Sequence, residues 1–372
     1  MIELPRTLIS FAIVLGVLVF FHELGHYLAA RWAGIKVEVF SIGFGPKLFG
    51  WTDRLGTEWQ LCILPLGGYV KMHGMEQPQD VPEKERAGWH PGETFQGKSV
   101  AARSVVVAAG PVANFILAIV LFFGLFAVMG REYTKPEVNV VVRGGAAAAA
   151  GLRSGDMITA IDGVAITRFE ELQHIVSGSA GKRLIFSIKR KNENLLVPMV
   201  PVASGGVGMI GIVVGNESFE RVPLDRALVD AVTETYGIAR DELAGIGKMI
   251  TGAESTSDLT GVIGIAQLSG EVSKQGLPSF ISFIALLSVS LGLINLFPIP
   301  VLDGGHLLFF AVEAVRGKSL SPRVHSYALY LGLTVIALLV LNSARNDLGR
   351  LGFFHWVDQV FLVLAHWSSK VF

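Results

Sequence analysis

The chain has 372 residues, 51% of them hydrophobic and only 17% charged, with a mean hydropathy of +0.53. So little charge over this length argues against an ordinary soluble globular protein and for a membrane protein. Acidic and basic residues balance at 31 each, without the basic surplus a nucleic-acid partner would want, and Cys62 is the only cysteine, which excludes a disulfide framework and a thiolate metal site.

The first apolar run, from about Leu8 to Ala30, is long enough to cross a bilayer, which takes about 20 helical residues. It contains His22-Glu23-Leu24-Gly25-His26. Positions i and i+4 share a helix face, so both imidazoles can reach one ion, and Glu23 stands beside them to take a proton from a metal-bound water. Chance produces such motifs in soluble proteins. In hydrocarbon, however, polar side chains are costly and are functional by default. A cleavable leader is the rival reading, resting on one Arg, the stretch from Leu8 to Phe21, and Ala29-Ala30. A leader has no use for two histidines and a glutamate.

The segment up to the second span carries Arg31, Lys36, Lys47, Arg54, Lys71, Lys84, Arg86 and Lys98. The positive-inside rule places it in the cytoplasm, with both termini and the larger soluble region outside. Within it, Glu58 to Lys71 is apolar and β-prone, too short to span as a helix, and broken at Pro65-Leu66-Gly67-Gly68. The second span runs from Ser104 to Met129 and contains no Asp, Glu, Lys or Arg.

A soluble region long enough for one small domain and a connector follows. Its stretch from Ala150-Gly151-Leu152 through Gly155-Asp156 to Ile161-Asp162-Gly163 resembles the core of PDZ domains. Asp162-Gly163 suits a tight turn between strands. Glu170 to Val176 reads as a short helix and Arg183 to Lys189 as a strand, and Leu224 to Met249 reads as an amphipathic connecting helix. A PDZ fold accepts extended peptide at a sheet edge. A plain spacer domain is the alternative.

The third span, Phe280 to Leu302, ends in Asn295-Leu-Phe-Pro298-Ile-Pro300-Val-Leu-Asp303-Gly304-Gly305. Two prolines cannot sit in an unbroken helix, and open backbone at membrane depth is tolerated only inside protein or along a cavity. A catalytic zinc has three protein ligands and an open position, so Asp303 is the expected third ligand. The two glycines are expected to let this chain pack close to the histidine-bearing helix. A simple helix cap at Asp303 is the alternative. The fourth span runs from Ser326 to Ala344, and Phe353 to Trp367 has the look of an interfacial helix. His73, His90, His174, His306, His325, His355 and His366 read as non-ligands.

Taken together, H-E-x-x-H in the first span and N-x-x-P-x-P-x-x-D-G-G in a later one resemble the site-2 protease family, peptidase family M50. Gly110-Pro111-Val-Ala-Asn114-Phe115, Thr260 to Ala266 and Asn346-Asp347-Leu-Gly-Arg350 resemble further signatures of that family, and Ile42-Gly43-Phe44-Gly45 resembles its G-x-G turn. The resemblance implies one Zn2+ per chain held by His22, His26 and Asp303, with Glu23 as general base and then acid. It implies that Asn295 and Asn114 bind substrate backbone, although either could instead cap broken-helix carbonyls. It also implies that the segment around Glu58 to Lys71 is a hairpin re-entering the membrane, where a free strand edge could pair with unwound substrate. An interfacial hairpin is the plainer reading. The bacterial branch that regulates sigma-E carries two PDZ domains in tandem, whereas this chain has one such motif, approached by Gly144-Gly145-Ala146.

The expected architecture is a multi-pass α-helical membrane protein of about four transmembrane helices, with a re-entrant β-hairpin and an inserted extracytoplasmic PDZ-like α+β domain. Its divisions are residues 1–130 (the first two spans with the cytoplasmic hairpin), 131–215 (PDZ-like), 216–279 (connector), 280–345 (the last two spans) and 346–372 (interfacial helix). The implied function is cleavage of single-pass transmembrane proteins, such as anti-sigma factors or remnant signal peptides. It would take place in a bacterial inner membrane, with the active site towards the cytoplasm and the lipid bilayer as a partner. A non-catalytic scaffold would want a four-ligand structural zinc. A zinc transporter would want further intramembrane acids or histidines, and the other spans have none.

Overall fold

A computed structural model describes residues 3–76, 81, 89–90, 92–191, 193–205, 207–214, 217–253, 255 and 260–350. The stretch from Phe353 to Trp367, read as an interfacial helix, lies outside the described residues. The chain divides into two compact units, Met1–Gly124 with Leu228–Phe372, and Leu125–Ala227.

The first unit begins with α1 (Glu3–Trp32), then β1 (Val37–Thr52), β2 (Glu58–Met72) and the start of α2 (Val100–Met129). Both strands are bent. Val39 to Ile42 pairs with Lys71 to Gly68 on one side and with Glu58 to Leu61 on the other, while Lys47 to Thr52 pairs back onto Cys62 to Glu58. The bends fall where backbone must turn sharply: Gly43, Gly45 and Gly67 all have positive φ, at 85°, 87° and 104°. The segment Glu58 to Lys71, expected as a hairpin, is the second strand of a larger curled sheet with β1. Aromatic contacts root this sheet on α1: the Phe40 and Trp59 rings stack with centroids 4.3 Å apart, and Tyr27 of α1 meets Trp59 edge-on at 5.1 Å. Beyond the root, Phe44, Leu48, Phe49, Trp51, Ile63 and Leu64 are exposed.

The second unit holds β3 (Arg131–Thr134), β4 (Val138–Val141), the one-turn helix α3 (Ala146–Ala149), β5 (Met157–Ile161), β6 (Val164–Ala165), α4 (Phe169–Ser177), β7 (Leu184–Arg190), β8 (Glu193–Met199), β9 (Val202–Ser204), β10 (Val207–Met209), β11 (Ile212–Val214) and β12 (Glu217–Glu220). Its main sheet has the order β6-β5-β7-β8, and β12 and β11 return to pair with β3 and β4. Ile158, Ile161, Leu172, Phe186 and Ile188 fill its core. Asp162 and Gly163 both take positive φ, 48° and 81°, in the tight turn that their sequence predicts. Asp156 is buried and clamps the glycine turns: its two carboxylate oxygens accept from Arg190 Nε and a guanidinium NH2 at 2.7 Å, and from the Arg153 amide at 2.8 Å.

The chain continues through α5 (Leu224–Ile250), α6 (Val262–Lys274), α7 (Leu277–Asn295), α8 (Asp303–Arg316) and α9 (Pro322–Arg350). Among the described residues, four helices are long and apolar enough to cross a membrane: α1, α2, α7 with Leu296, and α9. Lipid gives no hydrophobic drive for helix association, so close approach and polar contacts must hold them together. Gly25 of α1 lies on the backbone of α2, where a Cβ would stand 2.2 Å from the Ala109 carbonyl oxygen. The Ser288 hydroxyl of α7 donates to the Asn114 carbonyl at 2.8 Å, and one turn on, Gly292 lies against the Pro111 carbonyl. Val14, Leu18, Leu117 and Ile284 close the apolar core of these three helices.

The third span ends earlier than its apolar run suggested, at Asn295 rather than Leu302. Pro298 and Pro300 cannot extend the helix, so the backbone opens over residues 296–302 before α8 starts at Asp303.

Candidate metal centre

Because H-E-x-x-H lies on α1, His22 and His26 share a face, and the ring centroids are 4.8 Å apart. Their Nε2 atoms approach to 3.3 Å. Asp303 arrives from the opposite side as the first residue of α8, with Oδ2 at 3.3 Å from His22 Nε2 and 3.4 Å from His26 Nε2. The three donor atoms therefore form a nearly equilateral triangle. Two ligands bound at about 2.05 Å to a tetrahedral ion lie roughly 3.3 Å apart, so the triangle has the edge length of a zinc coordination shell. The carboxylate chemistry agrees, since Oδ2 is buried and makes no hydrogen bond. A buried carboxylate oxygen without a donor is costly unless a cation satisfies it. Nitrogen and oxygen donors, three in number, fit a catalytic rather than a closed structural zinc site.

The donors are held from behind. His26 Nδ1 meets the Val106 carbonyl at 2.9 Å, which places the ring proton on Nδ1 and leaves Nε2 its lone pair. Gly110 of α2 makes the room for that ring. Asp303 is set by the open segment before it. Val301, a β-branched residue, takes φ 101°, a conformation that costs on the order of 1–3 kcal/mol and persists only when its surroundings impose it. Gly304 and Gly305 were expected to let the chain approach the histidine-bearing helix, but they serve the loop itself. A Cβ on Gly304 would stand 2.2 Å from the Leu296 carbonyl oxygen, and one on Gly305 would stand 2.4 Å from that of Ile299. The glycines allow α8 to fold back onto the broken end of α7. From the other side, Gly332 of α9 touches the Pro300 carbonyl with bare backbone.

A cavity of about 270 Å³ opens beside the three donors, lined by Glu23, Gly68, Tyr69, Asn295 and Val301 among others. Glu23 and Asn295 thus reach the space next to the donors. The strand segment Gly68–Met72 forms one wall, and among the described strand pairings it is bonded on one side only, to Val37–Ile42. Gly68 lies directly on α1, where a Cβ would meet Val19 and the Glu23 side chain. His306 lines the cavity but stands outside the donor triangle. Asn114, which the resemblance implied at the substrate, is fully buried, and its side-chain nitrogen lies 3.1 Å from His22 Nδ1. Sequence reading missed the parts played by Gly25, Gly110, Ser288 and Val301. A spacing of small residues on α7 (Ser288, Gly292) was the available signal for close helix approach.

The profile of peptidase family M50 matches residues 10–339. A protein of Rhizobium meliloti named as a zinc metalloprotease is 40% identical over 363 residues, covering 93% of this chain and 97% of its own. Zinc metalloprotease RasP of Geobacillus kaustophilus is 32% identical over 419 residues, covering 94% and 99%. Metalloprotease MmpA of Caulobacter vibrioides is 34% identical over 392 residues, covering 95% and 98%. The PDZ domain of an SdrC-like protein from Listeria monocytogenes is 27% identical, covers 22% of this chain and 88% of that one, and superposes with a TM-score of 0.21. With its profile matched over most of the chain and relatives aligned end to end, this protein belongs to peptidase family M50, the site-2 proteases, and is a metalloprotease.

Proposed function

We propose that the protein hydrolyses peptide bonds of single-pass membrane proteins within or near their transmembrane segments, with one zinc ion bound by His22, His26 and Asp303. The observation that carries this reading is the donor triangle, at coordination spacing, beside a cavity that Glu23 lines. Zinc held there would supply Lewis acidity, polarising the scissile carbonyl and lowering the pKa of a bound water toward about 7. Glu23 accepts the proton of the attacking water as its oxygen adds to the carbonyl carbon. Glu23 then returns that proton to the departing amine nitrogen as the C–N bond breaks. Asn295, on the cavity wall, holds substrate backbone. The cavity-lining segment Gly68–Val70, paired among the described strand pairings with Phe40–Ile42, pairs with substrate as an added strand, which keeps an unwound peptide bond exposed.

The substrate class is membrane-anchored proteins of the anti-sigma-factor or remnant-signal-peptide kind. The chain lies in a bacterial inner membrane with the loop before α2 in the cytoplasm, as its Lys and Arg content favours. The unit between α2 and α5 is then extracytoplasmic and receives or filters substrate there. The exposed apolar end of the curled sheet fits contact with lipid.

The test is cleavage of a transmembrane substrate by purified protein with and without a chelator, and by Glu23→Gln. Loss of cleavage in both, with zinc retained by the variant, is expected. Unimpaired cleavage by Glu23→Gln would overturn the mechanism.

A further inference from the structure

A neutral imidazole that binds a metal through Nε2 must carry its proton on Nδ1, and that N–H needs an acceptor. For His26 the acceptor is the Val106 carbonyl. For His22 the only polar partner of Nδ1 among the described hydrogen bonds is the Asn114 side chain, 3.1 Å away. Asn114 is fully buried, and its carbonyl oxygen Oδ1 is buried without any hydrogen-bond partner. One half-turn of the amide about its last bond brings that oxygen to Nδ1.

We infer that Asn114 is a positioning residue for His22: its side-chain oxygen accepts the Nδ1 proton and fixes the tautomer whose Nε2 lone pair faces Asp303 and His26. The inference rests on the proposed zinc reading and replaces the substrate-binding role that resemblance implied for Asn114. Its two amide ends suit the two tautomers. The nitrogen donates to a bare Nδ1, and the oxygen accepts from a protonated one, so the ligand-competent form has a partner without any backbone movement. The backbone is anchored independently, since the Asn114 carbonyl accepts from Ser288 on α7 and Gly292 packs at its Cβ. A fully buried Asn114 has no surface to offer a substrate strand.

The experiment measures zinc affinity of the full protein by competition with a chromophoric chelator for wild type, Asn114→Asp, Asn114→Ala and His22→Ala. Thermal melting of each is followed with and without zinc, and kcat and KM are measured separately. Wild type binding one zinc that His22→Ala loses establishes the underlying site; failure there overturns the zinc reading itself. Asn114→Ala is expected to bind zinc about 10–100-fold more weakly, the usual effect of losing an outer partner, with the zinc-free melting temperature little changed and a smaller rise on adding zinc. Asn114→Asp, which can only accept, is expected to restore affinity to the wild-type level or above. Asn114→Ala with wild-type zinc affinity and a raised KM would overturn the proposal in favour of substrate contact. Failure of Asn114→Asp to restore affinity while Asn114→Ala melts normally without zinc would overturn the acceptor role.

Discussion

Gly110 faces the imidazole of His26 with nothing between them: a Cβ at this position would stand 2.2 Å from Nε2, the nitrogen that points at Asp303. The glycine on the second span is therefore part of the shape of the donor triangle.

Gly110→Ala is expected to push the His26 ring out of the triangle. Zinc content should fall, and cleavage should drop by about 100-fold or more, the scale associated with a misplacement of about 1 Å. Metal analysis of the purified variant beside its activity checks this. Full zinc occupancy with normal turnover would mean that the ring has another resting place.

Asp303→Asn replaces the anionic member of the donor triangle, the proposed third ligand, with a neutral amide. Both metal affinity and activity should fall, affinity by about 100-fold or more, since an outer partner alone is worth roughly 10–100-fold. Chelator competition reads the first quantity and a cleavage assay the second. One retained equivalent of zinc with undiminished activity would send the search for a third ligand elsewhere, with cavity-lining His306 the first place to look.

Asn295→Ala should leave zinc in place and slow turnover, because the side chain lines the cavity without belonging to the donor triangle. Steady-state kinetics on a zinc-replete sample decide it. Unchanged kcat and KM would reduce Asn295 to a capping role at the end of α7.

Asp347, near the end of α9, caps a different helix. Its carboxylate accepts from the Gly261 and Gly264 amides at 3.1 and 3.0 Å, at the start of α6, whose N-cap Gly261 has no side chain to do so. Asp347→Ala strands two amide donors, one buried and one half-buried, and is expected to destabilise the membrane unit by about 1–3 kcal/mol. Asp347→Asn, which keeps an acceptor, should lose less. Thermal melting of both variants ranks them, and equal loss would show that charge rather than capping matters.

In the inserted unit the Arg190 guanidinium hydrogen-bonded to Asp156 holds that carboxyl below its usual range, against the opposing effect of burial. A lowered folded-state pKa contributes stability above the unfolded value, about 3.9, and that stability is lost as pH falls toward the folded value. Calorimetry of the full chain should show the transition of this unit falling below about pH 4, and Asp156→Asn should already be destabilised at neutral pH. A pH-independent transition in wild type would dissociate the ion pair from stability.

The donor triangle was legible because its members lie in two compact patterns whose chemistry conflicts with their surroundings. His22, Glu23 and His26 are polar on one face of an apolar helix, and Asp303 follows two prolines that must break another. The early end of α7 follows from those same prolines but could not be placed to the residue, since an apolar run does not reveal where a helix stops within it. The curled sheet was half legible. Glu58 to Lys71 has the β-prone, glycine-broken character of a strand, but its partner Val37 to Thr52 carries Gly43, Gly45 and Pro46, which weaken any strand pattern. Gly304 and Gly305 were visible as close-packing residues, yet what they pack against depends on the path of the opened backbone. Asn114 illustrates the same limit, because only the crossing of α1 and α2 brings it to His22.

The fourth span carries none of the polar residues of the centre, yet its Gly332 backbone presses on the Pro300 carbonyl, where a Cβ would stand 1.8 Å from the oxygen. That contact is a register lock. Rotation or sliding of α9 by one residue would bring the side chain of Leu331 or Leu333 against the loop that ends in Asp303. A helix that contributes no donor thus braces, from three residues away, the loop that delivers Asp303 to the two imidazoles.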